Sequence, residues 1–85
     1  MIDPIEIRNQ VRRTLATRPE DETMPEPYLF VALEAFFGKG KITAGDMMQA
    51  LQWNEGRGWV EKRRNADLER NEWKLTERGR VKEGV

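Results

Sequence analysis

The sequence of residues 58–76, GWVEKRRNADLERNEWKLT, decides the fold. After Gly58 the sequence changes to a period of two: apolar and polar residues alternate in Glu72-Trp73-Lys74-Leu75, and Trp59-Val60-Glu61-Lys62-Arg63 is interpreted as the partner strand. The interval between these two segments is rich in charge. A period of two indicates a strand with one buried face, and a polar, charged interval between two such strands suits a hairpin turn. We therefore predict a two-stranded β-hairpin with a charged tip, in which Trp59 and Trp73 are core residues.

The segment before the hairpin predicts a helix over residues 43–54. Thr43 and Asp46 form a capping-box pattern at its start, and Gly56 and Gly58 follow its end. On a helical projection, the side expected to be buried carries Met47, Ala50, Leu51 and Asn54. The opposite side carries Gly45, Gln49 and Gln52, flanked by Met48 and Trp53.

Two more helices are predicted upstream. The first follows Asp3, an N-cap candidate with Pro4 next to it and Glu6 in the capping-box position, and it occupies residues 1–17. Its arginines are expected to face solvent: Arg8, Arg12 and Arg13. The second helix begins near residue 26 and ends at Gly38. Apolar residues surround it almost completely, so it is either central or covered by a partner.

The connections are polar and contain the helix breakers. Residues 18–25 are acidic, include Pro19 and Pro25, and predict a surface connection. Residues 38–42 predict a turn, with a short strand contact at Ile42 left open. Thr76 is expected to cap a short C-terminal helical tail over residues 77–85.

The composition excludes most catalytic chemistry. The chain has no Cys, no His and no Ser, which removes thiol and serine nucleophiles, histidine bases and nearly all transition-metal sites. We expect no enzyme activity, no cofactor and no metal. The apolar fraction of 38% and the charged fraction of 35% suit one small soluble domain over residues 1–85. Neither a membrane span nor a signal peptide is indicated, so the cytoplasm is expected.

The charge is unevenly distributed. Residues 1–37 carry a net charge of −3 and residues 38–85 carry +3, although the whole chain is neutral. The C-terminal part, which contains the third helix and the hairpin, therefore favours an anionic partner such as a phosphate backbone.

The end of the chain resembles a known group of regulators. Gly58-Trp59-Val60-Glu61-Lys62-Arg63 and Leu75-Thr76-Glu77-Arg78-Gly79-Arg80 are similar to the closing motifs of MarR- and PadR-like bacterial regulators. The resemblance covers about residues 26–80. It implies an α+β winged helix, with a helix-turn-helix over residues 26–56, a wing over residues 58–76, and transcriptional regulation of a bacterial or phage type through DNA.

A winged helix predicts where DNA would lie. Gln49 and Gln52 on the third helix are the candidates for base readout, since Gln pairs bidentately with adenine in the major groove. The candidates for backbone contacts are Lys39, Lys41, Thr43, Arg57, Arg63, Arg64 and Arg70. Two alternatives stay open: an ordinary amphipathic helix with a polar outside, and hairpin arginines that pair with Glu61, Glu69 and Glu72.

A second function fits the same fold. The neutral net charge and the third helix without Lys or Arg are also typical of a protein-interaction or adaptor module, as a partner subunit or a homodimer. Val31, Met48 and Trp53 are then the candidate contacts, since Trp is enriched at binding hot spots. Trp53 otherwise packs beneath the hairpin.

Overall fold

Four helices and three antiparallel strands build the fold, as seen in a computed structural model that describes all 85 residues. Along the chain the elements are α1 (Pro4–Leu15), β1 (Met24–Pro25), α2 (Glu26–Phe37), α3 (Ala44–Gly56), β2 (Val60–Asn65), β3 (Arg70–Leu75) and α4 (Glu77–Glu83). The α+β class predicted from the sequence is confirmed. None of the helices combines the length and the apolar character needed to cross a membrane.

The hairpin forms where the period-two pattern predicts it. Strands β2 and β3 pair from Val60 opposite Leu75 to Asn65 opposite Arg70. The turn between them places Glu69 at a φ of 49°, in the left-handed region. Val60, Trp73 and Leu75 are buried, and the other residues of β2 are half-buried or exposed. One face of the hairpin therefore closes over the helices.

The sheet has a third strand that the sequence analysis did not predict. Met24 pairs with Trp73 and Pro25 with Glu72, so the strand order is β1-β3-β2. Both residues of β1 are buried, and the prediction of a surface connection was wrong for them. The possible strand contact at Ile42 is also wrong, because Ile42 lies in a bend and fills the core. A two-residue strand is too short to show a sequence period, and β1 is recognised as a strand only because it pairs with β3.

The core lies between the first three helices and the inner face of the sheet. Helix α1 contributes Ile7, Val11 and Leu15, and α2 contributes Leu29 and Leu33. The other members of the cluster are Met24, Ile42, Met47, Ala50, Leu51, Val60, Trp73 and Leu75. Helix α3 contacts α1 more extensively than any other helix. The position of α3 is therefore set mainly by α1.

The last helix is held against the start of the hairpin. The hydroxyl of Thr76 accepts a hydrogen bond from the N–H of Gly79 (2.9 Å) and donates one to the carbonyl of Gly58 (2.6 Å). A Cβ atom at Gly79 would lie only 2.0 Å from the carbonyl oxygen of Trp59. The Thr76 and Gly79 positions of the C-terminal motif therefore serve the docking of α4 on the sheet.

Candidate nucleic-acid interface

Helix α3 presents a polar face to solvent, on which Glu55 is the one exposed charged side chain. Met47, Ala50, Leu51 and Asn54 are buried, as the helical projection predicts. The opposite face is exposed and carries Gly45, Gln49, Gln52 and Gly56. Two glutamines between two glycines leave amide donors and acceptors on a surface with little side-chain bulk.

The turn before α3 adds two free cations. Lys39 and Lys41 are exposed, and neither has a carboxylate within ion-pair distance. Thr43 closes the turn with the predicted capping box: its hydroxyl accepts from the N–H of Asp46 (3.1 Å), and the Asp46 carboxylate accepts from the N–H of Thr43 (2.9 Å). At the first helix the cap is one-sided, because the Asp3 carboxylate accepts from the N–H of Ile5 and Glu6 makes no return bond to Asp3. The start of α3 therefore has two capping hydrogen bonds from side chains, whereas the start of α1 has one.

One edge of α3 adjoins the start of α1. Gln49 and Arg8 line the same cleft of about 260 Å³, together with Met1, Ile2, Pro4, Ile7, Asp46 and Ala50. Further along this edge stand Trp53 and Arg57, at successive four-residue spacings from Gln49. The structure thus brings Arg8 next to a candidate readout residue. Arg8 was predicted to face solvent, but it is half-buried, because its contact with α3 depends on tertiary packing that no local sequence signal records.

A buried polar network fixes α3 to α1 and α4. Arg12 is 5% exposed, and its guanidinium donates to Glu83 Oε2 (2.9 Å), Asn54 Oδ1 (2.8 Å) and Asn9 Oδ1 (2.6 Å). The amide of Asn54 donates to the carbonyls of Ala50 and Arg8. The prediction that Arg12 faces solvent was therefore wrong. Asn54 and Glu83 come from other helices, so the sequence pattern of α1 does not predict these two contacts of Arg12.

Trp59 lies outside the core, contrary to the prediction. It is half-buried, with the Arg12 guanidinium carbon 4.8 Å and the Lys82 nitrogen 4.9 Å from its ring centroid. Its ring contacts that of Trp53 at a centroid distance of 5.7 Å. Trp73, in contrast, is buried as predicted and donates its indole N–H to Glu26 (2.8 Å). The strand prediction that began at Trp59 was therefore wrong at its first residue, because Trp59 lies in a bend directly before β2.

The cations of the hairpin fall into two groups. Arg63 pairs with Glu61 (2.7 Å) and Arg70 pairs with Glu72 (2.9 Å). Arg64 is exposed and pairs with no carboxylate. The hairpin arginines were predicted to contact phosphates, with pairing to glutamates as the alternative. Arg63 and Arg70 do pair with glutamates. Arg64 is left as a free charge near the tip.

Glu72 anchors the base of the hairpin tip. Its carboxylate accepts hydrogen bonds from the Thr23 hydroxyl, from Arg70 (2.9 Å) and from Asn65 (3.1 Å). These hydrogen bonds hold the pKa of Glu72 below its ordinary value of 4.5, and the bond from Thr23 has the largest effect. Burial acts in the opposite direction but does not outweigh them. The tip is therefore braced to the segment before β1 as long as Glu72 is ionised.

The three candidate protein contacts lie in different surroundings. Val31 is 64% exposed on α2, where Tyr28 and Phe36 are exposed as well. Met48 is half-buried against the core. Trp53 is half-buried between arginines at the edge of α3. No group of three or more His, Cys, Asp or Glu side chains could hold a metal ion.

Comparison with known proteins gives a likeness of fold. No protein-family model and no curated protein matches the sequence. Among solved structures, the chain is similar to the crystal structure of the ferric uptake regulator (Fur) of Vibrio cholerae, with a TM-score of 0.63 and 14% sequence identity. The match covers 89% of this chain and 53% of the Fur chain, so this chain spans about half the length of the structure that it matches. The Fur structure is described as showing a rearrangement of its DNA-binding domains. The likeness does not single out the MarR- and PadR-like regulators.

Proposed function

We propose that the chain is a small winged-helix DNA-binding protein that regulates transcription in the cytoplasm of a bacterium or phage-infected cell. The order of α1, β1, α2, α3, β2 and β3 supports a winged helix, as does the similarity in fold to Fur. One observation carries the proposal. The exposed face of α3 is open and carries Glu55 as its one exposed charged side chain, and unpaired cations stand at both of its ends, with Lys39 and Lys41 before it and Arg57 after it.

In this proposal α3 enters the major groove. Gln49 and Gln52 pair with base edges, adenine being the best match for an amide that donates and accepts at once. Gly45 and Gly56 let the helix backbone come close to the groove floor. The hairpin formed by β2 and β3 acts as the wing and lies along the adjacent backbone.

The backbone contacts follow from the free charges. Lys39, Lys41, Arg57 and Arg64 each bind a phosphate without breaking an ion pair. Thr43, whose hydroxyl oxygen accepts within the cap, keeps its hydroxyl proton for a phosphate. Arg63 and Arg70 must share or exchange their glutamate partners to bind phosphate, so they add less.

A titration against mixed-sequence duplex tests the proposal. Fluorescence anisotropy with a labelled duplex is measured at about 50 mM and about 200 mM salt, since phosphate contacts make affinity fall steeply with salt. Binding at the lower concentration that weakens at the higher one is the expected result. The proposal fails if the folded protein shows no binding at about 50 mM salt, because even contacts without sequence preference register there.

A second candidate function rests on the exposed face of α2. Tyr28, Val31 and Phe36 are 59%, 64% and 61% exposed, and Ala35 is exposed among them. Such an apolar surface on one helix suits a protein-interaction or adaptor module that docks a partner or a second copy. Sedimentation equilibrium of the wild type and of Val31→Glu tests self-association through this face. A dimer that the substitution dissociates favours this function; a monomer in both cases opposes the homodimer.

A further inference from the structure

Two arginines from different helices share one tryptophan at the edge of α3. The guanidinium carbon of Arg8 lies 4.5 Å from the ring centroid of Trp53, and that of Arg57 lies 4.7 Å from it. Trp53 is held in turn by the ring of Trp59. A cation over an indole is attracted by the negative face of the ring, so both guanidinium groups are restrained without a carboxylate.

Neither cation is neutralised within the protein. The four ion pairs of the chain involve Arg12, Arg18, Arg63 and Arg70, and they leave Arg8 and Arg57 free. Asp46 lines the same cleft as Arg8, but its carboxylate accepts the N–H of Thr43 in the capping box. Two like charges on one side chain repel each other, and the indole offsets only part of that cost. The two guanidinium groups therefore favour a partner that supplies negative charge to both of them.

The pair borders the face that is proposed to read DNA. Gln49, Trp53 and Arg57 follow one another at four-residue spacing, so they form a row along one edge of α3. Arg8 lines the same cleft as Gln49. A strand whose bases are read at Gln49 therefore runs past both guanidinium groups.

We propose that Arg8 and Arg57, held on Trp53, form a clamp for two phosphates of one DNA strand along this edge of α3. The clamp rests on the proposed DNA binding and adds to it a residue of α1 and a role for Trp53. Each strand of duplex DNA supplies one negative charge per ~3.4 Å of the helix axis, so two successive phosphates give the two guanidinium groups the anionic partners that the protein does not provide. Trp53 is a positioning residue: it orders two long side chains before binding and so lowers the entropy that binding costs.

The test compares salt dependence and affinity in variants of the full chain. The double variant Arg8→Gln/Arg57→Gln removes both charges, and Arg13→Gln removes one exposed, unpaired charge from the other side of α1 as the matched control. Trp53→Leu keeps both charges and removes the ring face, and Trp53→Phe restores a ring. Circular dichroism melts establish that each variant is folded under the binding conditions.

The expected results separate charge from positioning. The double variant makes the slope of log affinity against log salt less steep by about 1.8. Between about 50 and 200 mM salt, its affinity therefore falls by a factor about 12 times smaller than that of the wild type. Arg13→Gln leaves the slope unchanged. Trp53→Leu keeps the wild-type slope but weakens binding by about 2- to 12-fold for each arginine released, and Trp53→Phe recovers part of that loss.

Each contrary result has a distinct meaning. A double variant that keeps the wild-type slope, while the wild type binds duplex, overturns the clamp and leaves the proposed function standing. Wild-type affinity in folded Trp53→Leu overturns the positioning role of Trp53. Absence of duplex binding by the wild type overturns the proposed function and the clamp together.

Discussion

Replacement of Arg12 by Met tests the buried network that positions α3. The guanidinium group holds Asn54, which is fully buried, and Glu83, whose side chain is 13% exposed. Met fills much of the same volume but leaves the Asn54 oxygen and the Glu83 carboxylate without their donor. Removal of one partner from a buried ion pair costs about 3–5 kcal/mol. A chain of this size has a total stability of about 4–13 kcal/mol, so the loss is a large share of it.

Urea unfolding followed by tryptophan fluorescence measures this loss. With a slope of about 1–3 kcal/mol per molar urea, the midpoint of Arg12→Met falls by at least about 1 M. Arg13→Met is the matched control, since Arg13 is the exposed neighbour on the same helix and makes no ion pair. Its stability stays within about 0.5 kcal/mol of the wild type. A loss below about 1 kcal/mol in Arg12→Met would refute the role assigned to the network.

Three further predictions concern α4, the hairpin and α3. Gly79→Ala drives a Cβ into the carbonyl of Trp59 and costs about 1–3 kcal/mol, which lowers the melting temperature by at least about 4 °C in calorimetry. Folding lowers the pKa of Glu72, so the ionised carboxylate stabilises the fold above pH 4.5, and this stabilisation is lost as the pH falls through the pKa of the folded state. Glu72→Gln is therefore less stable than the wild type at pH 7, and its melting temperature falls less steeply with decreasing pH. Gln49→Ala and Gln52→Ala relax base preference by about 1–3 kcal/mol per lost pairing in selection from random duplex, with an unchanged salt slope; unchanged preferences would remove these residues from base readout.

The candidate site was only partly predictable. The face of α3 with Gln49 and Gln52 follows from helical geometry, because 100° per residue assigns every side chain of one helix to a direction. The presence of Lys39, Lys41 and Arg64 can be read from the sequence, but only the folded structure shows that no carboxylate pairs with them. Arg63 and Arg70 were predicted as phosphate contacts with glutamate pairing as the alternative, and only the coordinates show that pairing.

The sequence by itself determined the elements whose signals are local. The capping box at Thr43, the stop at Gly38 and the alternation in residues 58–76 each depend on residues within a few positions of one another, where backbone sterics and periodicity act. Only the tertiary structure decided four features: the third strand, the burial of Arg12, the contact of Lys82 with the Trp59 ring and the contact of Arg8 with the Trp53 ring. Each of these joins residues more than 20 positions apart, and such contacts form only when packing of the apolar faces has already brought the helices and the sheet together.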